Sequence, residues 1–230
     1  MQLSIFTTRK KYGINNIYKI TIKCGLRKWR RIMKLVLASQ NKHKAEEMQA
    51  ILGDDVRLLT FDEVGCGDLE IVEDGVTFEE NAVKKAITVT EKTGLPAIAD
   101  DSGLCVDALF GAPGVYTARF AGEGARDDEN IKKLLAELEG VGEEERTAKF
   151  VSVIALAKPN EKPVTYRGEV SGRILFEKRG ENGFGYDPVF YLPQFDASMA
   201  EVSAEIKNSI SHRFNALKLL KEDMERGNVL

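Results

Sequence analysis

Cysteine, proline and long apolar runs are scarce in this sequence, and each scarcity excludes a class of protein. Three cysteines (Cys24, Cys66 and Cys105) in 230 residues, with no Cys-x-x-Cys spacing, exclude a disulfide scaffold. They favour a reducing compartment, so we expect a cytoplasmic protein. Six prolines exclude collagen, and the lack of an apolar run of about 18 residues predicts no membrane span. The chain is therefore expected to fold as a globular protein.

Acidic residues are missing from the first 32 positions, although the whole chain has a net charge of −3. Residues 1–32 carry nine basic side chains, whereas the remainder carries 24 basic and 36 acidic ones, a balance of −12. A targeting peptide and a basic arm for nucleic acid are two interpretations of this segment. We favour a third, a disordered extension or a start assigned upstream of Met33, because the segment has no apolar period that could join a core. Residues 33–230 are then one domain, too acidic for specific nucleic-acid binding.

Strand-like and helix-like apolar patterns alternate after Met33. Strands are predicted at 35–38, 56–61, 96–99, 104–109, 150–157 and 164–176. Helices are predicted on apolar stripes at 45–52, 78–89, 131–138 and, from about Ser209, 210–224. This alternation predicts an α/β fold, a sheet-centred domain with two lobes.

Polar residues 39–44 lie between a predicted strand and a predicted helix. Free backbone N–H groups and the helix dipole favour an anion there, and Lys44 adds a mobile positive charge. An ordinary polar turn with surface lysines is the alternative, and His43 on its own is typical of a helix surface. The segment lacks the P-loop pattern, so Walker-type ATPase chemistry is not indicated.

Two adjacent carboxylates, Asp100 and Asp101, follow the apolar strand predicted at 96–99. A buried carboxylate needs a compensating cation, and Mg²⁺ beside a phosphate site takes one or two protein carboxylates. One aspartate could bind the metal while the other polarises a water molecule; an Asp-Ser-Gly turn is the alternative. Glu73, before a helix capped at Thr77, could complete the metal site.

A glycine-rich loop at 182–188 and a cluster of cations at 207–213 are the remaining candidates. Phe184 or Tyr186 could stack on a planar base, although a tight loop with aromatic plugs would use the same residues. His212 and Arg213 fall in the first turn of the last predicted helix, where the dipole disfavours cations unless an anion is bound. Both lie off the predicted apolar stripe, so we interpret them as ligand contacts.

These segments, in this order, resemble the inosine/xanthosine triphosphate pyrophosphatases, which act on non-canonical purine nucleoside triphosphates. The likeness covers essentially all of 33–230, although the family often has Gly in place of Gln40. The motifs that carry it are Ser39-x-Asn41-x-x-Lys44, Glu73 with Gly75-x-Thr77-Phe78-x-Glu80-Asn81-Ala82, Ala99-Asp100-Asp101-Ser102-Gly103-Leu104, Gly111-Ala112-Pro113-Gly114-Val115-Tyr116, Gly183-Phe184-Gly185-Tyr186-Asp187-Pro188 and Ser211-His212-Arg213.

The resemblance implies hydrolysis of ITP, dITP and XTP to the monophosphate and pyrophosphate with Mg²⁺. It implies a homodimer in which a long mixed sheet, flanked by helices, carries two lobes with the active-site cleft between them. Asp101 would accept the proton of the attacking water, and Glu73 and Asp101 would hold the metal, with Asp100 as a further candidate. The implied substrate contacts are Ser39, Gln40, Asn41, Lys42, His43, Lys44, Ser102, Phe184, Gly185, Tyr186, Asp187, Lys207, His212 and Arg213.

Selection of the base is expected to depend on donors to the 6-oxo group, supplied by backbone N–H groups near Phe184 and Gly185 or by Arg213. A pyrophosphatase of broader specificity, reaching pyrimidines, is an alternative function. A nucleotide- or RNA-binding module without turnover is another. The paired Asp100 and Asp101 disfavour the module, because carboxylates repel phosphate unless a metal intervenes.

Overall fold

The computed structural model describes residues 32–229, so the extension predicted at 1–32 lies, except for Ile32, outside the described residues. The strands of this part of the chain are β1 (Met33–Leu37), β2 (Val56–Leu59), β3 (Ala97–Val106), β4 (Thr147–Ala157), β5 (Val164–Ile174), β6 (Phe190–Leu192) and β7 (Ala197–Ser198). The α-helices are α1 (Lys42–Leu52), α2 (Phe78–Thr93), α3 (Asp127–Glu137), α4 (Ala204–Ile210) and α5 (His212–Glu225).

All seven strands join one sheet in the order β2-β1-β3-β4-β5-β6-β7. β1 runs parallel to β2 and β3, and the other neighbours are antiparallel. The helices flank this sheet, which confirms the expected α/β fold with a mixed central sheet. Among residues 32–229, no helix has both the length and the apolar character that crossing a membrane requires.

β3 is one continuous strand, and the prediction of two strands at 96–99 and 104–109 was wrong. Ten consecutive residues of β3 pair with β4, from Ala97 opposite Ala157 to Val106 opposite Ala148. The Asp-Ser-Gly stretch suggested a turn, but pairing with β4 prevails over local turn propensity. Because side chains alternate along a strand, Asp100 and Asp101 project to opposite faces of the sheet.

Three apolar clusters divide the molecule into two lobes. The first cluster packs α1 and α5 against one face of β1, β3 and β4, and the second packs α2 against the other face. The third joins α3 to the far end of β3 and to β4, β5 and β6. Along β3, the buried residues of the first two clusters end at Ala99 and those of the third begin at Leu104, while the half-buried Cys105 packs against the second cluster. The polar residues 100–103 therefore lie between the two lobes.

The last predicted helix, 210–224, corresponds to α5, and Ser211 separates it from α4, which was not predicted. The backbone of Ser211 is extended (φ −64°, ψ 159°), and its Oγ accepts the Phe214 N–H at 3.1 Å. Ser211 is thus the N-cap of α5, so this helix begins slightly later than the start expected at about Ser209. The break places His212 and Arg213 in the first turn of α5.

Candidate active site

Asp100 is the centre of a buried ionic network on the α1 and α5 side of the sheet. Its Oδ2 lies 2.8 Å from Lys44 Nζ and 3.1 Å from an Arg213 guanidinium nitrogen. The same oxygen accepts the Ser102 hydroxyl at 3.0 Å, and Oδ1 accepts the Ser152 hydroxyl at 2.6 Å. Asp100 is 1% exposed, so both of its oxygens are held by protein groups.

The environment of Asp100 keeps its carboxylate ionised. Burial opposes ionisation, but the Arg213 guanidinium and the Lys44 ammonium outweigh it and hold the pKa of Asp100 well below its usual range. Arg213 also donates to Glu47 Oε2 at 2.7 Å, and that contact fixes the guanidinium from α1. Asp100 therefore orients two cations at the cleft.

Asp101 belongs to a second cluster, on the α2 side of the sheet. Lys85 Nζ donates to Asp101 Oδ1, to Glu73 Oε2 and to the Asp100 carbonyl oxygen, each at 3.0 Å. The Asn81 amide donates to Asp101 Oδ2 at 3.2 Å and also holds Gly75, two residues after Glu73. Side chains of α2 thus fix both the carboxylate of Asp101 on β3 and that of Glu73 in the loop before α2.

The pKa values of the two carboxylates of this cluster are shifted in opposite directions. Burial raises the pKa of Asp101 to about 6, with Lys85 opposing the shift. Glu73 is partly desolvated too, but the charge of Lys85 prevails and lowers its pKa. Burial acts against the ammonium of Lys85, yet Asp101 and Glu73 raise its pKa. Lys85 is therefore a fixed cation between two acids of unequal strength.

The donor set of Glu73 and Asp101 fits a hard divalent cation. The two carboxylates lie 3.0 Å from the same nitrogen, so they converge on one small volume. Mg²⁺ binds through one or two carboxylates and completes its shell with water and substrate phosphate oxygens. Residues 32–229 contain no cluster of three or more His, Cys, Asp or Glu side chains, so a metal here would depend on those other ligands.

The segment 39–44 has the geometry expected of an anion-binding turn. Asn41 is the N-cap of α1, and its side chain accepts the Lys44 N–H at 3.1 Å. Ser39 Oγ accepts the Asn41 N–H at 3.2 Å. The first turn of α1 contains no acidic residue, so the positive end of the helix dipole is not neutralised locally. Gln40, Asn41, Lys42 and His43 are exposed beside it.

The recognition loop, which we define as residues 183–187, faces this turn. Phe184 stacks with the His43 ring at a centroid distance of 5.7 Å, and the Lys207 ammonium lies 4.5 Å from the Phe184 centroid. Asp187 is buried and accepts Lys207 Nζ at 2.6 Å and the Phe184 N–H at 2.9 Å. Burial raises the pKa of Asp187, against the influence of Lys207. His43 thus contacts the loop that was expected to receive the base.

Tyr186 does not offer its ring for stacking. It is buried in the third apolar cluster, and its hydroxyl donates to the Thr117 carbonyl oxygen at 3.1 Å. The Phe184 N–H is held by Asp187, and the Gly185 N–H donates to Asp127 at 2.7 Å. These two backbone donors, expected to be free for a 6-oxo group, are therefore occupied in this conformation.

His212 and Arg213 are buried, contrary to the prediction that they lie off the packed face of the helix. His212 is 6% exposed and stacks on Phe150 at 4.9 Å, and Arg213 is 1% exposed. Burial, followed by repulsion from Arg213, holds the pKa of His212 well below its usual range. Within the described residues, His212 Nδ1 and Arg213 Nε have no hydrogen-bond partner. Two buried polar atoms without partners indicate a ligand position.

Four buried residues of the site were missed by the sequence analysis: Lys85, Asn81, Glu47 and Ser152. Lys85 follows Ala82 and precedes Ala86 and Val89 on the buried face of α2. A lysine on an apolar stripe was a detectable signal, but a lysine at such a position commonly extends its ammonium to water. Ser152 contacts Asp100 through the pairing of β3 with β4, and no local pattern encodes that contact.

Comparisons with known proteins identify sequences that are similar over most of the chain. The model of the Ham1 family matches residues 35–223. A dITP/XTP pyrophosphatase of Geobacter sulfurreducens is 53% identical over 192 residues, which cover 83% of this chain and 96% of that protein. A dITP/XTP pyrophosphatase of Listeria monocytogenes is 50% identical over 195 residues, with coverages of 83% and 94%.

Solved structures show the same architecture. The Staphylococcus aureus Ham1 protein matches with a TM-score of 0.77 at 43% identity, covering 84% of this chain and 99% of that one. A Mycobacterium abscessus structure described as a nucleoside-triphosphatase and dITP/XTP pyrophosphatase gives a TM-score of 0.68 at 41% identity, with coverages of 82% and 98%.

Proposed function

This chain belongs to the Ham1 family, and we propose on that premise that it hydrolyses ITP, dITP and XTP to the nucleoside monophosphate and pyrophosphate. One observation carries the proposal most directly. The fixed cations Lys44 and Arg213 face the cleft from one side of β3, and the acids Asp101 and Glu73 converge on its other side. The relatives named dITP/XTP pyrophosphatases, about half identical over nearly their whole length, supply the substrate class.

The reaction that we propose is attack of water on the α-phosphorus. A bond forms between the water oxygen and the α-phosphorus, and the bond from that phosphorus to the bridging oxygen of pyrophosphate breaks. Asp101 accepts the proton of the water. Its pKa of about 6 suits a general base at neutral pH, because the carboxylate is mostly ionised and still basic.

Charge on the phosphates requires several cations. We place the triphosphate at residues 39–44, where the N-terminus of α1 and Lys44 meet it. Arg213 is fixed by Glu47 and Asp100, and its positive charge adds to the attraction of the cleft for the phosphates without a direct contact. Glu73 and Asp101 are the residues that we propose for Mg²⁺, which would neutralise phosphate charge and lower the pKa of its bound water.

Selection of 6-oxo purines is proposed to rest on Arg213 and His212. The unpartnered Arg213 Nε–H can only donate a hydrogen bond. It can therefore donate to a purine 6-oxo group, whereas the 6-amino group of adenine, itself a donor, is disfavoured. Phe184 is the aromatic ring available to stack on the base. Asp100 is less suited to the metal than the sequence implied, because protein donors already hold both of its oxygens.

Assembly and location are proposed on the resemblance alone. We propose a homodimer, which sedimentation of the purified protein would test. We also propose that the protein acts in the cytoplasm, where the nucleotide pool that it would cleanse is found.

The proposed function is tested by measuring how fast the protein hydrolyses each nucleotide of a panel. Pyrophosphate release with Mg²⁺ is measured for ITP, XTP, GTP, ATP and dUTP under identical conditions. Strong release from ITP and XTP over the other three is expected. A flat profile, or activity on dUTP, would favour the broader pyrophosphatase, and binding without release would show a nucleotide-binding module.

A further inference from the structure

We propose that Asp127, the first residue of α3, is a positioning residue for the recognition loop and sharpens selection of the base. The proposal rests on the function proposed above. Asp127 Oδ2 accepts the Gly185 N–H at 2.7 Å, which joins two segments 58 residues apart.

Asp127 is not engaged in capping its own helix. The N–H of Arg126, at the N-cap of α3, is accepted by the Glu129 carboxylate at 2.7 Å. The neighbouring Asp128 pairs with Lys178 at 2.8 Å, a residue outside the recognition loop. The acids of the first turn therefore have separate partners, and Asp127 is the one directed to Gly185.

The conformation of Gly185 makes this contact consequential. The φ of Gly185 is +61°, in the left-handed region that favours glycine. Space is not the reason for a glycine there, because an added Cβ would meet nothing within 4 Å. Glycine is thus required for the backbone angle and not for space. A hydrogen bond to the N–H of that residue fixes the peptide between Phe184 and Gly185, and with it the direction of the Phe184 ring.

Three further hydrogen bonds link the recognition loop to the segment before α3, and that segment to α3 itself. The Tyr186 hydroxyl donates to the Thr117 carbonyl oxygen at 3.1 Å. Asn130, one turn into α3, holds the Ala121 N–H at 2.7 Å and the Ala118 carbonyl oxygen at 3.1 Å. The recognition loop is therefore held at Gly185 by Asp127 and at Tyr186 by Thr117, directly after Phe184.

Loss of this anchor should weaken base recognition and spare the chemical step. Asp127 contacts neither Asp101 nor Lys85 among the described residues, so the positions of the reacting groups on β3 do not depend on it. Without the carboxylate, the Gly185 N–H is released and the Phe184 ring can move. The KM should then rise for every nucleotide, and most for the preferred one.

The experiment compares D127A, D127N and D128A with the wild-type protein. For D127A we expect the KM for dITP to rise about five- to tenfold and the ratio of kcat/KM for dITP over dATP to fall similarly, with kcat nearly unchanged. D127N keeps an accepting amide oxygen and should recover most of both losses. D128A removes the same charge from the same helix turn and should behave like the wild type.

Amide hydrogen exchange across residues 183–187 gives a readout that needs no turnover. Faster exchange in D127A, but not in D128A, is expected. D127A with wild-type KM, selectivity ratio and exchange would overturn the proposal, as would a loss of kcat alone or an equal effect of D128A. Absence of pyrophosphate release by the wild-type protein would instead contradict the proposed function, while the exchange data would still decide whether Asp127 anchors the loop.

Discussion

At the scale of single residues, Asp100 and Asp101 show how environment separates two identical side chains. They are neighbours on β3, but Asp100 faces Arg213 and Lys44 and has a strongly lowered pKa, whereas burial raises the pKa of Asp101. A pair of carboxylates pushed apart in this way divides into a fixed charge and a proton acceptor. The resemblance implied that Asp101 is the proton acceptor, and the two different environments of the neighbouring carboxylates support that proposed role.

Substitution of Asp101 by Asn should abolish turnover and leave the fold intact. The amide keeps the shape of the side chain but accepts no proton, so kcat should fall about a thousandfold. Steady-state pyrophosphate release and thermal unfolding measure the two effects. Asp74→Asn is a matched control, because Asp74 forms an exposed pair with Lys84, and its activity should stay within about twofold of the wild type. Near-wild-type turnover by D101N would remove Asp101 from the mechanism.

Burial of His212 predicts a pH dependence of stability. Its pKa in the folded protein lies well below the value of about 6.5 in the unfolded chain, so the unfolded state binds more protons between those two values. The unfolding free energy should therefore fall as the pH decreases below about 6.5, by up to about 1.4 kcal/mol per pH unit for this group.

His212→Phe isolates this contribution, since it keeps a ring against Phe150 and removes the titrating group. Urea unfolding at pH 7.5, 6.5 and 5.5 is compared for the two proteins. The difference between wild type and variant should shift in favour of the variant as the pH falls. An equal slope in both proteins would show that His212 does not titrate on unfolding.

At the scale of elements, locally encoded features were predicted well and long-range pairings were not. The cap at Thr77 and the apolar stripe after it predicted α2 closely. Thr77 Oγ1 accepts the Glu80 N–H at 3.1 Å, as expected of an N-cap residue. The continuity of β3 depends on its ten-residue ladder with β4, which is a tertiary contact. The break at Ser211 depends in part on Glu47, which accepts the Ser211 hydroxyl from α1 at 3.3 Å.

The packing of α5 on β5 gives a prediction at this scale. A Cβ on Gly168 would overlap the His212 carbonyl oxygen and the Ala216 nitrogen. Gly168→Ala should therefore push the start of α5 outward, destabilise the fold by about 1–3 kcal/mol, and displace Arg213. Turnover should fall about tenfold or more, although Gly168 has no place in the chemistry.

Gly142→Ala is the matched control for this substitution. Its φ is −66°, and the nearest atom to a Cβ there is 3.6 Å away, so alanine fits without strain. Thermal unfolding and pyrophosphate release are measured for both variants. If G168A matched G142A in both, the close contact between α5 and β5 would not set the position of Arg213.

At the scale of the whole molecule, the site is assembled from segments that the sequence keeps far apart. The prediction that Glu73 and Asp101 come together agrees with their contacts to Lys85, and the expected two-lobed α/β architecture is confirmed. The roles of these residues stay predictions. Lys85 and Glu47 were not predicted as site residues, because the local sequence around a charged helix residue does not show which tertiary partner it will contact when buried.

Removal of residues 1–32 should leave the enzyme active. The contacts that build the site join residues between 39 and 213, and the family match begins at residue 35. The truncated chain starting at Met33 should keep kcat/KM for ITP within about twofold of the full chain, because it retains every residue that the family match and the described site contacts use. A large loss would show that the basic segment is part of the functional protein.

The proposed reaction is attack of water on the α-phosphorus, and the placement of an oxygen isotope tests it directly. ITP is hydrolysed by the full chain with Mg²⁺ in water enriched in oxygen-18, and the products are weighed by mass spectrometry. The heavy oxygen should appear in the nucleoside monophosphate, with unlabelled pyrophosphate. Label in the pyrophosphate, or release of labelled orthophosphate, would place the attack on another phosphorus and contradict the mechanism centred on Asp101.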